Sequence, residues 1–357
     1  VPAPAIDSEF TFELLVCRWA ELGWPPGDDA SGVDGSDTEG SDAAGTAGSA
    51  HSPAQVIVSR QLGTQQRRWD TIVIECDPEG LAARREFGDR TIDGDLLPLV
   101  RHAPREWAYY RDALPDPGYP WRYVREAIHR GAARGLVDKR KNGNRIEIRR
   151  KRPYPDWVRR IVAIENKPDL DASAAAALSD QLEHDVETAL ADEVWLATGR
   201  TGESIEPALL RQFPVEAGVL TFDFEGEDGL GVDADAATVD WLPSTLDPAA
   251  GGERFDSDEK ARRRRLIAER AYGKGWRSFT ETTRPDCRWF DVERVSRGLV
   301  PVCGAKGRCQ NEAECGSRCG SFEPEPPQWR TKGWPVEGGP GQGVRELLER
   351  RRERARD

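Results

Sequence analysis

The sequence predicts an α/β chain. A mixed sheet flanked by helices is interrupted by an inserted helix-and-hairpin segment and followed by a small cysteine-rich module. Three observations lead there. Two short β-branched runs, Asp70–Cys76 and Val158–Lys167, read as buried strands and carry carboxylates at matching ends. The segment between them has its own helix and hairpin pattern and the opposite sign of charge. Five of the seven cysteines fall between Cys287 and Cys319.

Composition narrows the function classes. The net charge is −12, yet Arg outnumbers Lys 43 to eight, and Met is absent. Such an acidic balance looks like that of halophilic cytoplasmic proteins, whose surface acids hold water in concentrated salt. No apolar run approaches the roughly 18 residues of a membrane span. No basic stretch with an apolar core opens the chain as a signal peptide would. The expectation is a cytoplasmic protein without a membrane partner, whose clustered cysteines serve a metal rather than disulfides.

In order, Ser8–Gly23 has helical spacing, with Ser8 placed to cap it and Glu13 inside it. Residues 25–53 are Gly, Ser, Ala, Asp and Thr and read as a disordered loop. Gln55–Arg60 is a strand, turned by residues 63–66 into the Asp70 strand. Arg60, Arg67 and Arg68 approach phosphate or are simply solvated. If the two β-branched strands pair antiparallel with Asp70 opposite Glu165, paired positions sum to 235. Asp70, Glu165 and Lys167 then meet at one end, and the insertion leaves from the other. Glu165 and Lys167 are two apart on a strand and share a face.

Within the insertion, Asp95–Arg101, Pro104–Leu114 and Trp121–Arg134 read as helices, the last ending at Gly135. Asn142-Gly143 between two strand-like runs signals a hairpin. Helices followed by a basic hairpin resemble a winged helix-turn-helix. Residues 122–160 hold fourteen Arg or Lys against four acids. A sign opposite to the whole chain favours nucleic-acid contact over a solvated face. Arg122, Arg125 and Arg130 are assigned to the recognition helix. Lys139, Arg140, Lys141 and Arg145 are assigned to the wing. After Lys167 come a helix at Ser173–Leu190, capped by Ser173, and strands at Glu193–Thr198 and Gly218–Phe224. Residues 247–256 read as a linker before the basic helix Asp258–Ala271, and Val344–Arg354 as a terminal helix. Cys287, Cys303, Cys315 and Cys319 suit a structural zinc, with Cys309 as the spare; an iron–sulfur cluster is the competitor.

Asp70 on one strand and Glu165-Asn166-Lys167 on the next resemble the PD-(D/E)XK nuclease superfamily, over roughly residues 8–77 and 157–240. Trp69, not Pro, precedes the aspartate. The resemblance implies a restriction-endonuclease-like fold with Mg²⁺ or Mn²⁺ on Asp70 and Glu165. It also implies that Lys167 acts on the attacking water, and that a helix glutamate points at the metal, Glu13 first and Glu9 second. A Gln on the helix after the lysine strand, here Gln181, then lies near the site. The implied function is Mg-dependent hydrolysis of DNA, with DNA held by the winged helix. The alternative is a non-catalytic DNA-binding or regulatory protein that uses the same fold as a scaffold. The whole chain is also similar to an uncharacterised haloarchaeal domain of unknown function, which brings no activity with it. The domains expected are 8–80 and 156–245 for the nuclease-like core and 81–155 for the insertion. Residues 246–280 are expected as linker and basic helix, and 281–357 as the cysteine module with its terminal helix. Oligomeric state stays open, a homodimer included.

Overall fold

Two antiparallel strands set the frame. The computed structural model describes residues 9–27, 55–63, 67–200, 205–224, 232–247, 249, 254–276, 289–295, 298–309 and 319–322. Ser8, residues 28–54, Cys287, Cys315 and the Val344–Arg354 segment lie outside the described residues. Helix α1 (Glu9–Gly23) precedes β1 (Gln55–Gly63) and β2 (Arg68–Cys76). The insertion holds α2 (Pro78–Arg85), α3 (Leu97–His102), β3 (Ala108–Tyr109), α4 (Tyr110–Ala113), α5 (Trp121–Ala133), β4 (Val137–Asn142) and β5 (Arg145–Arg150). Then follow β6 (Val158–Lys167), α6 (Ala172–Thr188), β7 (Glu193–Gly199), α7 (Pro207–Leu210), β8 (Gly218–Phe222), β9 (Ala237–Trp241) and α8 (Ser257–Lys274). A small antiparallel sheet closes the described chain: β10 (Phe290–Val295), β11 (Gly298–Cys303) and β12 (Arg308–Cys309).

The main sheet is mixed and six-stranded, in the order β1-β2-β6-β7-β8-β9. β2 pairs antiparallel with β6 from Thr71↔Ile164 to Glu75↔Arg160, the register expected from the sequence. A bulge then sets Cys76 against Val158, one step short of the expected Asp77 partner. β6 runs parallel to β7, and β7 to β8, as the intervening helical crossover requires.

Alternation decides which face each residue serves. Val73, Val162 and Ile164 pack under α1 with Phe12, Val16, Cys17 and Trp19. Ile72, Ile74, Ile161 and Ala163 face the other way, into a core shared with the insertion and α8. That core runs without a break into Leu99, Val124, Ile128, Val137 and Ile148 of the insertion. The helix foreseen at 258–271 is present, and its Leu266, Ile267, Ala268, Ala271 and Tyr272 belong to the same core. Fully burying each large aliphatic side chain contributes roughly 1.5–3 kcal/mol. Contact is close where α2 meets the start of β6. A Cβ on Gly80 would lie 2.4 Å from Asp156 O, so only glycine fits.

Some local expectations shift. Residues 104–114 are not one helix: Ala108–Tyr109 pair with Ile148 and Glu147 of β5, and α4 is a single turn. Sheet pairing overrides helical propensity there. The cap of α6 is Asp171, whose carboxylate accepts the Ala174 N–H at 2.7 Å, rather than Ser173. The β4–β5 loop is Gly143-Asn144, with φ +57 at Gly143, since Asn142 itself pairs with Arg145. No described helix is long and apolar enough to cross a membrane.

Candidate functional site

Where β2 and β6 end beside α6, a cleft of about 650 Å³ opens. Asp70, Glu165, Lys167, Gln181 and Glu9 line it, together with Arg67 and Arg68. The β2–β6 pairing ends at Thr71↔Ile164, and Asp70 and Glu165, the next residue of each strand, both line the cleft. Lys167 follows on the Glu165 face and has no ion-pair partner among the described residues.

Asp70 is fixed from two sides. Its Oδ2 accepts the Asn166 N–H at 3.1 Å, and its Oδ1 accepts Gln61 Nε2, also at 3.1 Å. Gln61 has φ +51, in the left-handed region. That kink breaks the alternation of β1: Val58 packs under α1, whereas Leu62 reaches the opposite core. It also lets Gln61 bridge Asp70 and Glu13, whose Oε1 accepts the same nitrogen at 2.6 Å. Burial pushes Asp70 up, against the Asn166 N–H and Arg67. Glu165, only 3% exposed, is pushed well above the carboxylate range by burial and then by the charge of Asp70.

Arg67 is the counter-charge. Its Nη2 lies 2.5 Å from Glu165 Oε1, an ion pair in which Oε1 accepts no well-aligned hydrogen bond. Nη2 also donates to Asp185 Oδ2 at 3.0 Å, and Nε to both oxygens of Asp185. Trp69 Nε1 donates to Asp185 Oδ1 at 3.0 Å. Trp69 therefore helps to hold Asp185 in place. Burial works against the Arg67 charge, but Glu165 and Asp185 outweigh it and raise its pKa.

Glu13 sits behind the cleft. It is 4% exposed, and its Oε2 pairs with Arg60 Nη2 at 3.0 Å. Burial raises its pKa against Arg60 and Gln61. It reaches Asp70 only through Gln61, whereas Glu9 lines the cleft directly. Among the described residues no group of three or more His, Cys, Asp or Glu is spaced to hold a metal. The donors the cleft does offer are two hard carboxylates, Asp70 and Glu165. A Mg²⁺ site that keeps most of its waters needs one or two.

The insertion sorts its basic residues by face. Arg122 and Arg125 are exposed on α5, and Lys139 of β4 meets His129 of the same helix. β4–β5 pairing puts Lys139 and Lys141 on the helix side of the hairpin, with Arg140 and Arg145 on the other. Arg140 pairs with Glu147 at 2.6 Å and lies over the Trp107 ring; Arg145 lies over Tyr109. Arg130 pairs with Asp95. Eight of the fourteen cations at 122–160 are in ion pairs, many with acids outside that span. Among the described residues, those without an ion-pair partner are Arg122, Arg125, Lys139, Lys141, Arg145 and Arg150.

Of the cysteines, Cys303 is buried and Cys319 half-buried, and both are free thiols. Cys309 follows Cys303 across the tight turn of β11–β12. Cys287 and Cys315 are outside the described residues.

With this geometry in hand, comparison with known proteins gives one match. The family of unknown function DUF5787 matches residues 57–324. The chain belongs to that family. No curated protein and no solved structure matches. The DUF5787 span contains Asp70, Glu165, Lys167 and the whole insertion, and it starts after α1 and Glu13. Sequence reasoning left Arg67 between two roles and missed Asp185 and Gln61. Asp185 adjoins His184, which faces Arg254. A single buried acid in an Ala-rich helix was the signal available for it.

Proposed function

We propose that this chain hydrolyses DNA phosphodiester bonds with Mg²⁺ or Mn²⁺, as a nuclease of the PD-(D/E)XK type. The observation that carries the reading is the cleft at the ends of β2 and β6, which Asp70, Glu165 and Lys167 line together. Asp70 and Glu165 would hold the cation. Bound there, such an ion would polarise a phosphodiester and make a bound water more acidic. The Asn166 N–H and Gln61 keep the Asp70 oxygens oriented. Lys167, unpaired, offsets phosphate charge and orients the attacking water. Glu9 and Gln181 are the further polar groups on the cleft wall.

In this reading the insertion is a winged helix. α5 is the recognition helix, β4–β5 the wing, and β3-β5-β4 the small sheet beneath. Arg122, Arg125, Lys139 and Lys141 form its DNA strip, which the lack of ion-pair partners supports. The cysteine module holds a zinc, or an iron–sulfur cluster, through Cys287, Cys303, Cys315 and Cys319. Elemental analysis of protein purified without added metal distinguishes the two.

The deciding experiment incubates the protein with single-stranded, duplex and branched DNA in high KCl, with and without Mg²⁺ or Mn²⁺. Divalent-dependent cleavage that Asp70→Ala and Glu165→Ala both abolish is the expected result. Binding without cleavage would favour the second reading, a DNA-binding scaffold. The seating of Arg67 on Glu165 is the observation on that side.

A further inference from the structure

Arg67 holds two acids, one along an edge of the guanidinium and one at a single nitrogen. Asp185, 2% exposed, takes the Nε and Nη2 edge of the guanidinium side-on, with Trp69 steadying its Oδ1. Nη1 donates to Arg68 O at 2.6 Å. A planar fork held along one edge is fixed in position. Nη2 donates to Asp185 Oδ2 at 3.0 Å and also lies 2.5 Å from Glu165 Oε1. There the ion pair is close, but Oε1 accepts no well-aligned hydrogen bond. Glu165 is thus a buried carboxylate whose counter-ion is anchored to a different residue, on the wall of an open cleft.

We propose that Arg67 is the phosphate-binding residue of the cleft and that, until a phosphodiester arrives, it serves as an internal counter-ion covering Glu165 against a divalent cation. The inference rests on the nuclease reading and adds a coupling to it. The Nη2 contact now made with Glu165 can serve that carboxylate or a phosphate oxygen, not both. A phosphodiester draws it off while Asp185 keeps the guanidinium in place. Glu165, beside Asp70, is then left without its cation and accepts a divalent one. Phosphodiester and cation therefore bind with positive coupling, and each raises the affinity of the other by the same factor.

The test is a calorimetric Mn²⁺ titration of the full chain in KCl, with and without saturating dimethyl phosphate, a phosphodiester that is not cut. In the parent, dimethyl phosphate should tighten Mn²⁺ binding by about tenfold, within the usual range of coupling between sites. Arg67→Gln removes the charge but keeps a donor for Asp185. It should bind Mn²⁺ about tenfold more tightly than the parent without dimethyl phosphate, and respond to dimethyl phosphate little. If Mn²⁺ binding depends on Glu165 but is indifferent to dimethyl phosphate, the coupling is wrong and the nuclease reading stands. Arg67→Gln binding Mn²⁺ no more tightly than the parent has the same meaning. If the parent binds no Mn²⁺, or Glu165→Ala binds it equally well, the metal site fails and the coupling with it. The parent titration alone decides the matter should Arg67→Gln not fold.

Discussion

Replacing Glu269 with Ala should loosen the joint between the insertion and the sheet. Glu269 lies on α8 and is fully buried. Its Oε1 accepts Arg84 Nε and the Tyr154 hydroxyl, each at 2.6 Å. Its Oε2 accepts Arg84 Nη2 at 2.6 Å and the Ile92 N–H at 2.9 Å. Arg84 leaves the sheet on α2, and Tyr154 returns just before β6, so one carboxylate ties both stems of the insertion to α8. Breaking a buried ion pair from one side costs about 3–5 kcal/mol. The orphaned Ile92 N–H and Tyr154 O–H add roughly 1–3 kcal/mol between them after relaxation. Arg84 keeps its bonds to Gly88 O and Arg90 O and its stack on Tyr272, which limits the loss. The net effect is about 4–6 kcal/mol, a large share of an ordinary domain's stability. At about 2–4 °C per kcal/mol, the melting temperature should fall by roughly 10–20 °C. Thermal unfolding followed by tryptophan fluorescence in high KCl measures it. The double variant Arg84→Met, Glu269→Leu should recover the ion-pair part of the loss, because an apolar pair of similar volume replaces a buried ion pair at little cost, while Ile92 N–H, Gly88 O and Arg90 O stay without these partners. A loss under about 1 kcal/mol for Glu269→Ala, or a double variant no better than the single, would refute the reasoning.

Lys167→Ala should slow cleavage by about 100-fold or more while leaving the melting curve in place, since Lys167 has no ion pair to lose; an unchanged rate removes it from the chemistry. Arg122→Ala with Arg125→Ala should weaken DNA binding even at high salt, whereas Lys139→Ala with Lys141→Ala should matter mainly at low salt. Labelled duplex titrated across a salt series checks this, and equal losses at every salt would remove the recognition-helix assignment. Glu259, in the first turn of α8, is pulled down to about 2 by hydrogen bonds from Arg262 and by Arg263. Its depressed folded value makes its contribution fully present above an unfolded value near 4.5 and lost as pH falls through about 2. Much of the group is solvated, so screening leaves about 0.5–1 kcal/mol. Glu259→Gln should cost that much in urea melts near neutral pH, with the gap closing at the acid end.

The central strands were legible because their chemistry is periodic. Ile72, Ile74, Ile161 and Ala163 alternate with Val73, Val162 and Ile164, and a one-residue slip would turn every one of them to the wrong face. That constraint fixed the register, and the strand ends beyond it bring Asp70 and Glu165 to one cleft. The bulge between Glu75 and Cys76 has no such signal, and the expected pairing drifted there. Side-chain partners far apart in sequence were not legible either. Arg67 and Asp185 are separated by 118 positions, and nothing in either segment names the other. Glu13 was chosen for its place on the first helix, but a helix offers several faces. Arg60 and Gln61 drew it behind the cleft, while Glu9, one turn earlier, lines it.

Charge counting misled in a way the folded chain explains. Residues 122–160 look strongly basic because the acids that neutralise them are elsewhere: Glu75, Asp77, Glu86, Asp93, Asp95 and Glu193. Five of the eleven arginines there pair with these acids, and Arg140 and Arg149 pair with Glu147 and Asp138 inside the span, which suits a planar fork that bonds carboxylates side-on. The preference for Arg over Lys therefore serves internal pairing first and is no measure of DNA contact. The residue-level signal is the lack of a carboxylate partner. By that measure Arg130 and Arg140 leave the candidate interface, and Arg150 enters it. Arg122, Arg125, Lys139 and Lys141 remain on one side, joined where Lys139 meets His129. The same logic marks Lys167 in the cleft, where Asp70 and Glu165 are already held by other groups and the lysine has no ion-pair partner among the described residues. In an acidic chain, a cation left unpaired beside acids is placed for an anion the protein does not itself supply.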